Sequence, residues 1–134
     1  MNLLYAVGKA SKNPPLIINL FYKGDPDSEE IIALIGKGIT FDSGGLNIKP
    51  TGSMETMYLD KCGACTVFST FLGAIENKMK LNISCSMAFA ENYVSENSYR
   101  PSDIIKSHKG YTVEILNTDA EGRLILADTI SWTQ

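Results

Sequence analysis

Residues 31–45 of the chain read Ile-Ile-Ala-Leu-Ile-Gly-Lys-Gly-Ile-Thr-Phe-Asp-Ser-Gly-Gly. The unbroken apolar run predicts a strand from Glu29 to Ile35 that is buried on both faces, as strands are in a parallel sheet. The glycines that follow predict a loop carrying Lys37 and Asp42 beyond the carboxyl end of that strand. Open α/β sheets place their ligand sites at this end of their strands. We therefore expect a functional site in the loop.

A nucleotide is a poor candidate for the ligand of this loop. Four glycines lie within residues 36–45, and glycine lets a backbone turn sharply and approach a phosphate closely. However, the chain contains neither G-x-x-x-x-G-K-[ST] nor G-x-G-x-x-G.

The remainder of the chain alternates between strand-like and helix-like segments. This alternation predicts an α/β fold with a mostly parallel or mixed sheet flanked by helices. We expect a turn at Gly24–Asp27 and a polar loop from Glu91 to Pro101. The further strands are predicted at Pro15 to Tyr22, Leu81 to Ala90 and Thr112 to Leu116, and the helices at Ser53 to Asn77 and Arg123 to Trp132.

Length and composition limit the class of protein. The chain has 134 residues, one domain's worth, and 44% apolar residues are enough for a hydrophobic core. A formal charge of -3 argues against nucleic acid as a partner. No apolar run approaches the length of a membrane span, and the amino terminus does not resemble a secretory signal. Three cysteines without framework spacing suit a reducing cytoplasm.

The second informative stretch is Asn117-Thr118-Asp119-Ala120-Glu121-Gly122-Arg123-Leu124. If it is extended, Asp119, Glu121 and Arg123 face the same side, because residues two apart do so in a strand. The guanidinium would then relieve the repulsion between the two carboxylates. From this octet alone, a solvated turn with an Asp–Arg pair is an equal alternative.

Two further residues, Asp60 and His108, bear on whether the chain binds a metal. Taken singly, Asp60 reads as a helix cap more readily than as a ligand. The chain has a single histidine, His108, so that a zinc site of the H-E-x-x-H kind is excluded. We expect His108 to be an exposed loop residue.

Together these residues resemble the leucyl aminopeptidase family, the cytosol aminopeptidases that use two metal ions. The octet matches that family's signature letter for letter, and Gly36 to Gly45 matches its other metal-binding segment. The resemblance extends from about Leu3 to Trp132. It implies that residues 1–134 are part of a metallopeptidase catalytic domain, without an amino-terminal domain and without the carboxyl-terminal part of the catalytic domain.

The resemblance also implies a role for each matched residue. Two residues, Lys49 and Arg123, would be catalytic, and two others, Met57 and Asn117, would bind substrate. The implied metal ligands are Lys37, Asp42, Asp60, Asp119 and Glu121.

The chemistry of these residue types agrees with the implied roles. Three Asp and one Glu supply hard oxygen ligands for two divalent ions, zinc or manganese, with magnesium and cobalt as alternatives. Lys37 can be a ligand only as a neutral amine, so its pKa would have to be lowered by the cations and by burial; the other reading of Lys37 is an ion pair with Asp42. Lys49 would donate to the oxyanion of the tetrahedral intermediate. In the family, Arg123 would hold a bicarbonate ion, which a planar guanidinium suits.

Two functions of different class follow. The first is a metal-dependent aminopeptidase that removes the amino-terminal residue, leucine-like preferred, from peptides in the cytoplasm. Relatives form hexamers, so the full-length form would be a homo-oligomer. The second is a non-catalytic remnant that acts as a structural or interaction module.

The motif Cys62-Gly63-Ala64-Cys65 competes with this interpretation. A C-x-x-C can be a redox pair or half of a zinc knuckle. The knuckle needs a second pair, and only Cys85 remains. A redox pair should open a helix, whereas this one falls inside the predicted helix. We therefore expect both cysteines to be small buried residues behind Asp60. The family usually has a methionine and small residues here, so Lys61 and the cysteines are departures.

Overall fold

A three-stranded sheet forms the centre of the computed structural model, which describes residues 1–134. Its strands are β1 (Leu16–Lys23), β2 (Ile31–Asp42) and β3 (Asn82–Asn92), in the order β1-β3-β2. The central strand β3 pairs antiparallel with β1 and parallel with β2. The sheet is therefore mixed, and the predicted α/β class with flanking helices is confirmed.

Helices cover both faces of this sheet. They are α1 (Asn2–Gly8), α2 (Cys62–Glu76) and α3 (Glu121–Thr133). Alternate residues of β3 point to opposite faces, so Ile83, Cys85 and Met87 pack with α2 while Ala88 and Ala90 pack with α1 and α3. The result is a helix–sheet–helix arrangement with a core on each side. None of the three helices has the length and hydropathy that a membrane span needs.

Strand β2 is longer than the sequence predicts, and its start is not buried as predicted, because Ile31 and Ile32 are about half exposed. It continues through Gly36 to Asp42, so Lys37 lies in the strand and the expected loop begins only after Asp42. The reason is that pairing with β3 continues, with Lys37 opposite Ala88 and Gly38 opposite Phe89. A Cβ on Gly36 would lie 2.5 Å from Cγ2 of Val67 and 2.7 Å from Cα of Ala64. This glycine therefore lets the helix approach the strand and does not start a loop.

The predicted helix from Ser53 to Asn77 is too long at its amino end. Residues 57–59 form only a 3-10 turn, and α2 begins at Cys62. The non-helical backbone of Lys61, with φ of -105° and ψ of 5°, separates these two segments. The expectation that Cys62 and Cys65 are buried is wrong: both are exposed, because α2 turns Ala64, Phe71 and Ala74 toward the sheet.

The strand predicted from Thr112 to Leu116 is present, but it ends two residues earlier and lies outside the main sheet. Residues Thr112–Glu114 form β5, which pairs antiparallel with β4 (Ile104–Lys106) in a separate two-stranded sheet. Each of these strands has three residues, too few to bury an apolar face of its own. The polar loop predicted after β3 is present, although β3 extends two residues beyond its predicted end at Ala90.

The sequence did not predict α1, because the cap of this helix comes from a distant residue. Met1 supplies no side-chain cap. Instead Oδ2 of the buried Asp128, on α3, accepts from the backbone N–H groups of Leu3 and Leu4 at 2.9 and 3.3 Å. Its other oxygen accepts from the N–H of His108, which is an exposed loop residue as expected. Asp128 thereby ties α1 and the loop after β4 to α3.

The contact between Gly36 and α2 gives a prediction for stability. Gly36→Ala should lower the free energy of unfolding by about 1–3 kcal/mol, the usual cost of overpacking a core. Gly73→Ala is the matched control, because Gly73 lies on α2 with no atom within 4 Å of an added Cβ. That substitution should raise stability by up to about 1 kcal/mol through helix propensity. Urea unfolding measures both; equal effects of the two substitutions would contradict the packing described.

Candidate metal centre

Four carboxylates from distant parts of the chain lie near the carboxyl end of β2. Asp42 ends this strand, Asp60 follows the 3-10 turn at 57–59, Asp119 lies in a second 3-10 turn (Thr118–Ala120), and Glu121 opens α3. Oxygens of Asp42, Asp119 and Glu121 all lie within 4.8 Å of one another. Carboxylates at such distances repel unless cations lie between them. This arrangement could hold a metal ion.

Lys37 neutralises one pair of these acids. Its Nζ lies 2.9 Å from Oδ2 of Asp60 and 2.9 Å from Oε1 of Glu121. Glu121 is almost fully buried, with 2% of its side chain exposed. Because a buried charge is costly without a partner, this ion pair is required for Glu121 to remain charged.

Lys49 neutralises the other pair. Its Nζ lies 3.1 Å from Oδ2 of Asp42 and 2.7 Å from Oδ1 of Asp119. Two alternatives that the sequence left open are therefore wrong. Lys37 does not pair with Asp42, and Arg123 does not lie between Asp119 and Glu121. The octet is not extended: it forms the 3-10 turn and the first turn of α3, which places Arg123 on an exposed surface.

The pKa values of Lys37, Lys49 and Glu121 are all raised in this cluster. Burial alone would lower the pKa of Lys37, but the hydrogen bonds and charges of Glu121 and Asp60 outweigh burial and raise that pKa. Burial raises the pKa of Glu121, against the hydrogen bond from Lys37. Burial also opposes the charge of Lys49, yet Asp119 and Asp42 raise its pKa to about 12. The predicted lowering of the Lys37 pKa is therefore not a property of the protein groups alone; only added cations could cause it.

Gly122 makes room for the Lys37 side chain. A Cβ at this position would lie 2.7 Å from Cε, 2.9 Å from Cδ and 2.9 Å from Nζ of Lys37. The first turn of α3 thus carries the Glu121 carboxylate. The next residue, Gly122, leaves the space that the Lys37 side chain occupies. This explains why a glycine follows Glu121.

A hydrogen-bond network joins the loop after β2 to the octet. Oγ1 of Thr118 donates to the carbonyl of Gly44 at 2.7 Å and accepts from the N–H of Asn47 at 2.8 Å. The Asn92 amide donates to Oδ1 of Asp42 at 2.8 Å and to the Thr118 carbonyl at 3.1 Å. The Tyr99 hydroxyl donates to the same carbonyl at 2.6 Å. These contacts hold Asp42 and Asp119 at fixed positions.

The site contains an acceptor that no protein group uses. Oε2 of Glu121 is buried and has no hydrogen-bond partner. Asp42 is different: its Oδ1 accepts from the N–H of Gly44 at 2.9 Å and from Asn92, while its Oδ2 faces Lys49. A buried acceptor without a donor, beside other hard oxygens, is what a divalent cation requires. The residues present therefore fit the metal ions that the sequence implied.

The two predicted substrate-binding residues lie beside these acids. Met57 is half-buried and opens the 3-10 turn that leads to Asp60. Asn117 is exposed, and its Oδ1 accepts from the N–H of Asp119 at 2.8 Å. This side chain therefore caps the turn that carries Asp119 and has only its amide nitrogen free.

Sequence reasoning missed Asn92, Asn47 and Tyr99. Asn92 had a detectable signal, because it is a polar residue at the carboxyl end of a buried strand, the same rule that identified Asp42. Tyr99 and Asn47 lie in loops and had no such signal. Burial and the charges of Glu121, Asp42 and Asp119 raise the pKa of Tyr99 well above its usual value, so its hydroxyl remains a donor.

The chain is similar to known proteins over its whole length. The family model described as "Cytosol aminopeptidase family, catalytic domain" matches residues 1–134. A probable cytosol aminopeptidase of Pseudomonas fluorescens is 47% identical over 134 residues, which are 100% of this chain and 27% of the relative. One from Buchnera aphidicola is 48% identical, with the same coverage. The chain thus spans about a quarter of the length of these relatives.

Two solved structures have the same fold. A leucine aminopeptidase from Caenorhabditis elegans superimposes with a TM-score of 0.94 at 41% identity, covering 98% of this chain and 27% of that one. A cytosol aminopeptidase from Coxiella burnetii gives a TM-score of 0.94 at 36% identity, covering 98% of this chain and 28% of that one.

Gly122→Ala tests whether Lys37 is a ligand or only a counter-ion. The new methyl group displaces a flexible side chain, so the fold should survive. If Lys37 is a ligand, its displacement should weaken Mn²⁺ binding by about tenfold or more, the scale of losing a supporting group. Calorimetric titration with Mn²⁺ measures this, with Gly73→Ala as the control. Tighter binding in Gly122→Ala would show that Lys37 only neutralises the acids.

Proposed function

The chain belongs to the cytosol aminopeptidase family, and on that premise we propose that it carries the metal-dependent active site of an aminopeptidase. Its reaction is hydrolysis of the amino-terminal residue, leucine-like preferred, from peptides in the cytoplasm. The observation that carries the proposal is the cluster of four carboxylates bridged by Lys37 and Lys49. We propose further that residues 1–134 are part of a larger catalytic domain, and that the full-length form is a homo-oligomer.

Five residues would hold two divalent ions, which we propose to be zinc or manganese, with magnesium or cobalt as alternatives. Their oxygen-rich chemistry suits hard and borderline cations. The orphaned Oε2 of Glu121 supports this assignment. When bound, such ions supply Lewis acidity and a water of lowered pKa. The ligand set is Lys37, Asp42, Asp60, Asp119 and Glu121.

Lys37 must lose a proton before it can serve as a ligand. Only the neutral amine has a free lone pair, and Asp60 and Glu121 raise the pKa of Lys37. Binding of the cations would therefore be coupled to proton release, and would tighten as pH rises.

Lys49 has the opposite task. With its pKa raised to about 12, it stays protonated across the neutral range. Its Nζ lies between Asp42 and Asp119, beside the proposed cations and outside the proposed ligand set. We assign it as the donor to the negative oxygen of the tetrahedral intermediate, because a fixed cation in a partly buried site stabilises developing charge at little reorganisation cost.

Arg123 is available for an anion. It lies in the first turn of α3, two residues after Glu121, exposed and without a protein partner. A guanidinium there can bind a bicarbonate in two-point fashion. We propose that Arg123 would hold such an anion beside the carboxylates, where the anion would supply a base for the hydrolysis.

Met57 and Asn117 would contact the peptide. The half-buried Met57 lies within three residues of Asp60 and offers an adaptable apolar surface to a leucine-like side chain. Because Oδ1 of Asn117 is engaged with Asp119, the Asn117 amide would act as a donor to a substrate carbonyl.

Hydrolysis of leucine amide with added Mn²⁺ or Zn²⁺ tests this function. Glu121→Gln should lose both metal binding and hydrolysis, because the substitution removes the charge on the buried carboxylate at the centre of the site. Glu114→Gln is the matched control: Glu114 is an exposed carboxylate on β5, and its loss should change neither. A wild-type chain that binds metal but hydrolyses nothing would favour the non-catalytic module for these residues.

Lys49→Met separates catalysis from metal binding. If Lys49 is the oxyanion donor, kcat should fall about 100-fold or more, the usual effect of losing such a donor. Metal affinity should not fall, because Lys49 is outside the proposed ligand set and its ammonium competes with cations for Asp42 and Asp119. Steady-state kinetics and calorimetry on the same preparation measure the two quantities. Loss of metal affinity in parallel with kcat would overturn the assignment.

A further inference from the structure

Cys62 and Cys65 open helix α2 on its exposed side. Cys62 is the first residue of the helix, and Cys65 lies in its first turn. Both thiols are free and accessible, whereas Cys85 is fully buried in the core under α2. Two exposed thiols three residues apart at a helix start are the arrangement that a redox-active C-x-x-C pair requires. The pair therefore lies at the start of a helix, whereas the sequence predicted that it lies inside one.

The same turn of α2 packs against the metal centre. Gly63, between the two cysteines, lies on the backbone of Lys37: a Cβ at this position would be 3.1 Å from the Lys37 oxygen and 3.3 Å from its nitrogen. Asp60, which pairs with Lys37 at 2.9 Å, is two residues before Cys62. A movement of this turn therefore reaches both residues.

Closing a disulfide between these cysteines would move the turn. Side chains three residues apart on a helix have Cβ atoms about 5–6 Å apart, whereas a disulfide needs about 3.5–4.5 Å. The first turn must therefore tighten by roughly 1–2 Å. It can do so because the first N–H groups of a helix have no partner within it. The first helical hydrogen bond here runs from the N–H of Cys65 to the Lys61 carbonyl.

We propose that Cys62 and Cys65 form a reversible oxidation site whose oxidant is a low-molecular-weight disulfide of the glutathione class, and that its closure displaces Asp60 and Lys37 and weakens metal binding. The oxidation is independent of the proposed function. The effect on metal binding rests on it.

The chemistry is two successive thiol–disulfide exchanges. Cys65 lines an apolar groove of about 390 Å³ between α2 and β1, with Ile18 and Phe68, and Cys62 does not. A polar disulfide therefore meets Cys62 first. The Cys62 sulfur attacks one sulfur of the oxidant, whose S–S bond breaks, and one thiol leaves with a proton. The Cys65 sulfur then attacks the mixed disulfide and releases the second thiol. Two protein thiols are oxidised, and one small disulfide is reduced to two thiols.

The first test counts thiols on the whole chain. After incubation with oxidised glutathione, alkylation under denaturing conditions and mass spectrometry should find only Cys85 free, and dithiothreitol should restore all three thiols. Cys62→Ser should remain reactive only through Cys65 and stop at a mixed disulfide. Three free thiols in the wild-type chain at every ratio of oxidised to reduced glutathione would overturn the proposal.

The second test measures the coupling. Backbone amide NMR of the oxidised and reduced chains should show shifts at Lys37 and Asp60, and the Kd for Mn²⁺ should rise about tenfold on oxidation. Mn²⁺ is used because thiolates bind it poorly. The double variant Cys62→Ser/Cys65→Ser should respond to neither treatment. Shifts confined to residues 61–66 would refute the coupling. If neither form binds Mn²⁺, the proposed metal centre is wrong. The thiol count still tests whether the disulfide forms, and the amide shifts still test whether it displaces Lys37 and Asp60.

Discussion

The balance of charge among Asp42, Asp60, Asp119 and Glu121 is the constraint on which the site depends. Asp42 and Glu121 are almost completely buried, and burying an unpaired carboxylate would cost several kcal/mol. Lys37 and Lys49 each bridge two of the acids, which leaves two more negative than positive charges. Such a cluster attracts further cations, and the same lysines are the groups that must move or lose a proton when cations enter.

Strand pairing and helix packing place those charges next to one another. Parallel pairing of β2 with β3 places Asp42 next to Asn92, whose amide fixes one oxygen of Asp42 and the carbonyl of Thr118. The close contact of α2 with β2 at Gly36 and Gly63 positions Lys37, and Gly122 leaves space for its side chain. Small residues at these contacts explain how Lys37 can lie between Asp60 and Glu121, which come from separate segments.

The sequence predicted which residues form the charged cluster better than it predicted the bounds of the helices and strands. Period and composition identified β1, β3 and the class of fold. The two motifs contain four of the six residues that form the ion-pair cluster, and the family resemblance added Lys49 and Asp60. The extended octet failed because the Asn117 side chain caps a turn there, so that the chain enters α3 two residues before the expected start at Arg123. Helix α1 was not predicted, because Asp128 caps it from more than 120 residues away. Local patterns cannot report contacts of this range.

Anomalous diffraction from crystals grown with Mn²⁺ tests the central claim most directly. If the carboxylate cluster is a metal centre, two anomalous peaks should lie among Asp42, Asp60, Asp119 and Glu121, with Nζ of Lys37 bound to one ion and no longer paired with both acids. Peaks elsewhere on the surface, with both lysines still bridging the acids at 2.7 to 3.1 Å, would contradict it.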